Sequence, residues 1–312
     1  MNDGNMTSVE ALRQAFLNQG YVCSVEVATT LFLADRLEKP LLVEGPAGVG
    51  KTEIAKTAAR VFGRPLVRLQ CYEGLDESKA LYEWQYGKQL LYSQILKDRM
   101  DAVLREARDL HEAVGRLHGV KDLFFSEHFL EPRPLLRAIR QEGGAVLLID
   151  EVDKADEEFE AFLLEVLSDF QVSVPELGTI HALLSPFVVI TSNSTRELGE
   201  ALKRRCLYLY LDFPSPELEQ EILRVHVPDL PVKLSAQLVA FMQRVRRLEL
   251  RKVPSVSETI DWAKVLLLLN VGTLSREFVT QTLNIFLKHE EDLRTLRPLV
   301  SELLAAVRSE AP

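Results

Sequence analysis

The sequence predicts a parallel α/β sheet with helices on both faces, followed by a second region built only of helices. Three observations carry that prediction. Short apolar stretches alternate with longer stretches of helical periodicity from about residue 20 to 212. The apolar stretches are nearly continuous in Val, Leu and Ile, as suits strands buried on both faces and joined by helical crossovers. From DFPSPE (212–217) onward, only helical periodicity remains.

Five strands are expected, in order: LLVE (41–44), LVRLQ (66–70), AVLLID (145–150), FVVITS (187–192) and LYLYL (207–211). Two stretches break the alternation. From about 83 to 118, Leu96, Met100, Val103, Ala107, Leu110, Val114 and Leu117 recur at steps of three and four, which predicts one long inserted amphipathic helix. QVSVPELGTIHAL (171–183) alternates around Pro-Glu-Leu-Gly and predicts a β-hairpin. Pro214 and Pro216 mark the joint to the second region, with Ser215 as an N-cap. Helices are expected near 216–226, 234–248, 255–269, 275–289 and 293–308, so the chain divides into 1–213 and 214–312.

Composition narrows the function. The 312 residues include 46 acidic and 37 basic side chains, a net charge of −9, which makes sequence-independent binding of DNA or RNA a poor expectation. Cys23, Cys71 and Cys206 lie far apart without CxxC spacing, which favours a reducing compartment and no structural zinc. The N-terminal segment is polar, and no apolar run approaches the roughly 20 residues of a membrane span, so a cytoplasmic protein is expected.

The chemistry is concentrated at three strand ends. GPAGVGKT (45–52) follows the first strand and opens the helix TEIAKTAARVF, the context in which G-x-x-x-x-G-K-[ST] binds phosphate. Gly45, Gly48 and Gly50 let the backbone of Gly45, Pro46, Ala47, Gly48, Val49 and Gly50 curl its N–H groups around phosphate oxygens, helped by the helix N-terminus. Lys51 is placed to reach the β- and γ-phosphates of ATP, and Thr52 to offer its hydroxyl to Mg²⁺. AVLLIDEVDKA (145–155) delivers Asp150 and Glu151 to a strand's carboxyl end, where open α/β sheets bind ligands. Asp150 suits holding Mg²⁺ through water, since that ion asks for one or two carboxylates plus phosphates and waters, and Glu151 suits polarisation of an attacking water. The competing reading is that both acids only favour the N-terminus of the next helix. FVVITSNSTREL (187–198) ends in Asn193, either a partner for that water and the γ-phosphate or an Asx cap.

These motifs, followed by the basic cluster Lys203-Arg204-Arg205, resemble an AAA+ ATPase from about residue 20 to the C-terminus. The resemblance implies a P-loop nucleotide-binding domain over 1–213, a helical lid over 214–312, and an arginine that reaches ATP held by a neighbouring subunit. Arg205 best fits that place and Arg204 is the alternative; the competing reading is a solvated pair at a helix C-terminus. LQCYEGLDESKALYEWQYGKQLL (69–91), EPRPLLRAI, EVDKADEEFEAFLLEVLSDFQVSVPELGTI and TSNSTRELGEALKRRCLYLYLDFP are similar to the MoxR family, more narrowly to its branch tied to maturation of molybdenum-containing carbon monoxide dehydrogenases. That similarity implies a ring, commonly a hexamer, that hydrolyses ATP to remodel a protein client, a molybdenum dehydrogenase in that branch. It also implies a partner with a von Willebrand factor A domain, and a hairpin and insert that engage clients. Relatives often carry a lid arginine that senses the γ-phosphate; RKVPSVSETIDWAK (251–264) offers Ser255, Val256 and Ser257 there, with Arg251 and Lys252 as potential substitutes.

Other residues fit blander roles. His111 and His118 share a face of the insert but are too few for a metal site. Cys71 and Cys206 read as small buried residues, and neither thiol alone makes a copper site. Tyr82, Trp84, Tyr86 and Tyr92 read as packing around the insert, with a client-binding patch as the alternative. Two other functions share the motifs: a nucleic-acid motor or loader, whose hairpin should be basic where 171–183 has no Lys or Arg, and a nucleotide-gated adaptor with little hydrolysis, which would not need Glu151 and Asn193.

Overall fold

The computed structural model describes residues 7–105, 126–174 and 177–310. Two helices open it, α1 (Val9–Asn18) and α2 (Val25–Arg36), each begun by a serine whose hydroxyl accepts a first-turn N–H. Then come β1 (Leu41–Glu44), α3 (Lys51–Phe62), β2 (Leu66–Gln70), α4 (Glu77–Ala80), β3 (Tyr82–Trp84) and α5 (Tyr86–Arg105). β4 (Leu130–Pro132) and α6 (Pro134–Ile139) lead to β5 (Val146–Asp150) and α7 (Glu157–Asp169). β6 (Gln171–Val174), β7 (Gly178–His181), β8 (Phe187–Ser192), α8 (Glu200–Arg205) and β9 (Leu207–Tyr210) complete this part.

The five expected strands form one parallel sheet in the order β2-β5-β8-β1-β9. One apolar cluster, with α1, α2 and α3, covers the face carrying Leu41, Val43, Leu148 and Val189. A second, with α6 and α7, covers the face carrying Leu42, Ile149 and Ile190. β5 and β8 are buried at every residue, as continuous apolar strands should be. The edge strands differ. In β2, Val67 and Leu69 are buried while Leu66 and Arg68 are exposed, and β9 exposes Tyr208 and Tyr210. α6 covers the Val67 and Leu69 face of β2 and α2 the Leu209 face of β9, while the opposite face of each edge strand remains open.

The insert also departs from expectation. Tyr82–Trp84 at its start is a strand, paired antiparallel with Leu130–Pro132, and helix follows only from Tyr86. Aromatic and bulky side chains favour the pleated state, and Trp84 is anchored by burial. The rest of the expected helix, with His111 and His118, lies outside the described residues. The tyrosines and tryptophan form separate contacts: Tyr82 meets Trp84 edge-to-face, Tyr92 packs on Phe129, and Tyr86 is exposed. The hairpin pairs Gln171 with His181 through Val174 with Gly178; Glu176 lies outside the described residues.

The C-terminal region comprises α9 (Pro216–His226), α10 (Val232–Val245), α11 (Val256–Leu268), α12 (Arg276–Phe286) and α13 (Glu290–Glu310). Ser215 caps the first of these, its hydroxyl accepting the Leu218 N–H. Phe241, Trp262 and Phe286 form the centre of a separate core. Within it lies a buried ion pair: Arg246 donates to both carboxylate oxygens of Glu219, at 2.7 and 2.6 Å. Arg246 also donates to the Pro254 carbonyl (2.9 Å) and the Thr259 hydroxyl (2.8 Å), and lies over the Phe213 ring. Gln243 ties Glu219 to the Pro214 carbonyl. The joint at 213–214 and the start of α11 are therefore held by one charge cluster. No helix among the described residues is long and apolar enough to cross a membrane.

Candidate active site

The loop between β1 and α3 can exist only with glycine at two of its positions. At Gly45 (φ +146°) a Cβ would lie 1.9 Å from the Leu211 carbonyl oxygen, and at Gly48 (φ +78°) it would lie 2.4 Å from the Ser255 side chain. Gly50 caps α3 without a side-chain acceptor, which leaves first-turn N–H groups for an anion. Pro46, Ala47 and Val49 span the turns between these glycines, and Ala47 lines the cleft. Lys51, the first residue of α3, donates from Nζ to the carbonyls of Gly45 (2.6 Å) and Pro46 (2.7 Å) and to Asn193 Oδ1 (2.8 Å). Burial lowers its pKa, and Asp153, Asp150 and Glu151 partly oppose that shift.

Asp150 ends β5, almost fully buried. Its Oδ1 accepts from the hydroxyls of Thr191 (2.6 Å) and Thr52 (3.1 Å), and its Oδ2 from Arg68 (2.6 Å). At Glu151 the chain turns through φ +58°, a left-handed conformation that costs a non-glycine residue about 1–2 kcal/mol. The Glu151 N–H is held by Thr191 Oγ1 (2.9 Å). Its carboxylate accepts from Asn193 Nδ2 (3.2 Å), Gln70 Nε2 (2.9 Å) and Lys154 Nζ (2.5 Å). Asn193 itself is fixed from below: its N–H, with the N–H and hydroxyl of Thr195, donates to buried Asp153. Burial alone would raise the Asp153 pKa, but those hydrogen bonds outweigh it and hold the carboxyl below its usual range.

Lys51, Thr52, Asp150, Glu151 and Asn193 thus line one cleft of about 280 Å³, closed on one side by Ser257 at the start of α11. A cation, two carboxylates and a carboxamide converge where the phosphate-type loop opens. Magnesium fits these residues: Thr52 and Asp150 present hard oxygen donors already in hydrogen-bond contact, with phosphates and water left to complete its shell. Among the described residues no group of three or more His, Cys, Asp or Glu side chains could hold a metal alone.

Other expected participants lie elsewhere. Arg204 and Arg205, at the end of α8, are exposed and do not line the cleft. Arg205 Nη1 donates to the Leu164 carbonyl (2.5 Å), and Arg204 has no hydrogen bond or ion pair among the described residues. Arg251 and Lys252 face Glu291 and Glu258 at 3.9 and 3.8 Å, and neither lines the cleft. Burial pushes the Cys71 and Cys206 thiols up to about 12, so neither is a ready thiolate; Cys206 is half-buried where full burial was expected. Sequence reasoning passed over Arg68, Gln70, Asp153, Lys154 and Thr191. Arg68 and Gln70 had a signal: two polar residues two apart in a strand share a face.

The chain matches the family model for the AAA domain of the dynein-related subfamily over residues 40–206. It belongs to this AAA family. The matched span contains the phosphate loop, Asp150, Glu151, Asn193 and both arginines of α8. Among curated relatives, gas vesicle ATPase GvpN of Haloferax mediterranei is 26% identical over 244 residues, 75% of this chain and 63% of that protein. Gas vesicle ATPase GvpN2 of Halobacterium salinarum is 26% identical over 251 residues, covering 76% and 65%. The denitrification regulatory protein NirQ of Stutzerimonas stutzeri is 26% identical over 229 residues, covering 70% and 68%. The chain thus spans less than two thirds of the length of the two gas vesicle relatives.

Proposed function

We propose that this protein is a MoxR-type AAA+ ATPase that binds Mg²⁺ and ATP in the cleft, hydrolyses ATP at a subunit seam of a ring, and uses the cycle to remodel a protein client. The observation that carries it is the contact of Glu151 with Asn193 and of Asn193 with Lys51 (3.2 and 2.8 Å), which joins a proton acceptor, a water-orienting amide and a phosphate-binding cation. Bound Mg²⁺ would supply charge neutralisation on the β- and γ-phosphates. Lys51 would exchange its carbonyl partners for phosphate oxygens. Glu151 would take the proton of the attacking water, and Asn193 would orient that water.

Among the described residues no arginine lines the cleft, and the developing charge on the γ-phosphate calls for one, which this reading draws from a neighbour. Arg204 is the better supported finger, because Arg205 is engaged with Leu164. The helical region from 214 onward acts as the lid, touching the phosphate loop through Ser255 and Gly48. The hairpin, without Lys or Arg, favours a protein client over DNA. The resemblance of several long stretches to the branch linked to carbon monoxide dehydrogenase supports a client among molybdenum hydroxylases awaiting their metallocofactor, and with that reading go a von Willebrand factor A partner and a cytoplasmic location. Gas vesicle and denitrification names among the relatives support a shared ATP-driven engine whose client varies.

The test is Glu151→Gln. The variant should bind ATP with near wild-type affinity and lose turnover, and, trapped with ATP, should capture a molybdenum hydroxylase by affinity purification. Normal turnover rejects the assigned base; capture of an unrelated client rejects the branch; DNA-stimulated hydrolysis by the wild type favours a nucleic-acid motor.

A further inference from the structure

Asp150 is a buried carboxylate, and a charge in such a place needs a counter-charge. Its hydroxyl partners, Thr52 and Thr191, are neutral, and Lys51 is engaged by two carbonyls and Asn193. The cation in direct contact with it is Arg68, whose Nη2 lies 2.6 Å from Oδ2 and 2.5 Å from Gln70 Oε1. Arg68 stands on the open face of an edge strand with half its side chain in solvent. It can therefore swing away without stranding a buried cation, which the ion pair of Arg246 could not do.

We propose that Arg68 is an internal counter-ion of Asp150 that a divalent metal must displace, so that it sets the coupling between metal and nucleotide binding. This rests on the cleft being a Mg²⁺–ATP site. With metal absent from solution, the guanidinium neutralises Asp150 and spares an incoming triphosphate its repulsion. With metal present, two cations compete for one carboxylate, and Arg68 withdraws toward solvent. Gln70 shares Arg68 through Oε1 and holds Glu151 through Nε2, so that withdrawal also loosens one restraint on Glu151.

The experiment measures binding of a fluorescent, non-hydrolysable ATP analogue to the full chain, in EDTA and across a Mg²⁺ titration, for wild type, Arg68→Gln, Arg68→Met and Arg68→Lys. In both neutral variants, metal-free affinity should fall and the half-saturating Mg²⁺ concentration should also fall. The ratio of the two affinities should rise about tenfold, within the usual range of coupling between ligands. Arg68→Lys should stay near wild type. An unchanged ratio in the neutral variants, or equal weakening with and without Mg²⁺, overturns the inference; the latter would make Arg68 a direct phosphate ligand. Wild type that binds the analogue in neither condition would instead remove the nucleotide-site reading, and this inference with it. The half-exposed edge position tolerates all three replacements, and urea unfolding midpoints verify that each is folded.

Discussion

Replacing Glu219 by Gln tests how the C-terminal helices are tied to the phosphate loop. Glu219 is fully buried and takes three hydrogen bonds, two from Arg246 and one from Gln243. The amide is nearly isosteric but neutral, so the Arg246 guanidinium, itself almost fully buried, is left without its counter-charge. Breaking one half of a buried pair costs about 3–5 kcal/mol. Removing both halves, as in Glu219→Leu with Arg246→Met, leaves no orphan ion. It should cost less than the single change by at least about 1 kcal/mol, the remainder being the lost bonds to Pro254 and Thr259. Urea unfolding followed by tryptophan fluorescence reads this directly in a Trp84→Phe background, where Trp262 in the helical core is the only tryptophan. The same cluster sets the start of α11, which brings Ser255 against Gly48 and Ser257 to the cleft, so Glu219→Gln should also weaken ATP binding. A loss below about 1 kcal/mol, or a double variant no better than the single, would refute the reasoning.

Three further outcomes are expected. Arg204→Ala should lower ATP turnover by about 10³-fold while Arg205→Ala changes it far less, in steady-state assays at ring-forming concentration; the reverse order would return the finger to Arg205. Thr191→Val removes the hydroxyl that both donates to Asp150 and accepts the Glu151 N–H, which should cost about 1–3 kcal/mol in urea unfolding and lower kcat more than it raises KM. Asp153 has a folded pKa below its ordinary 3.8, so the stability it contributes is complete above that value and is lost as pH falls through the lower folded value. The stability gap between wild type and Asp153→Asn should therefore be constant from pH 7 to about 5 and narrow below pH 4 in urea titrations; a gap that widens on acidification would contradict the sign.

The phosphate loop, Asp150, Glu151 and Asn193 were legible in the linear chain because each ends a strand, and strand ends of a parallel sheet share one edge. The central strands were legible for a similar reason: continuous apolar character survives only where both faces are covered. The same rule misjudged β2 and β9, since edge position depends on strand order, which no single strand encodes. The strand at Tyr82–Trp84 was hidden because its partner, Leu130–Pro132, lies some 48 residues on, and pairing over that distance leaves no local period.

Spacing and residue type by themselves determined the sheet, the helical second region, the phosphate loop and the acid pair, because those depend on periodicities within a few residues. Only the tertiary structure decided which charges meet. It put Arg68 on Asp150, Gln70 and Lys154 on Glu151, Asp153 under Asn193, and Ser255 against Gly48. It also turned Arg205 to Leu164 and left Arg204 free of hydrogen bonds and ion pairs among the described residues. The reason is physical: electrostatic partners are chosen by distance in space and by local burial, and both are properties of the packed sheet and not of the order of residues along it.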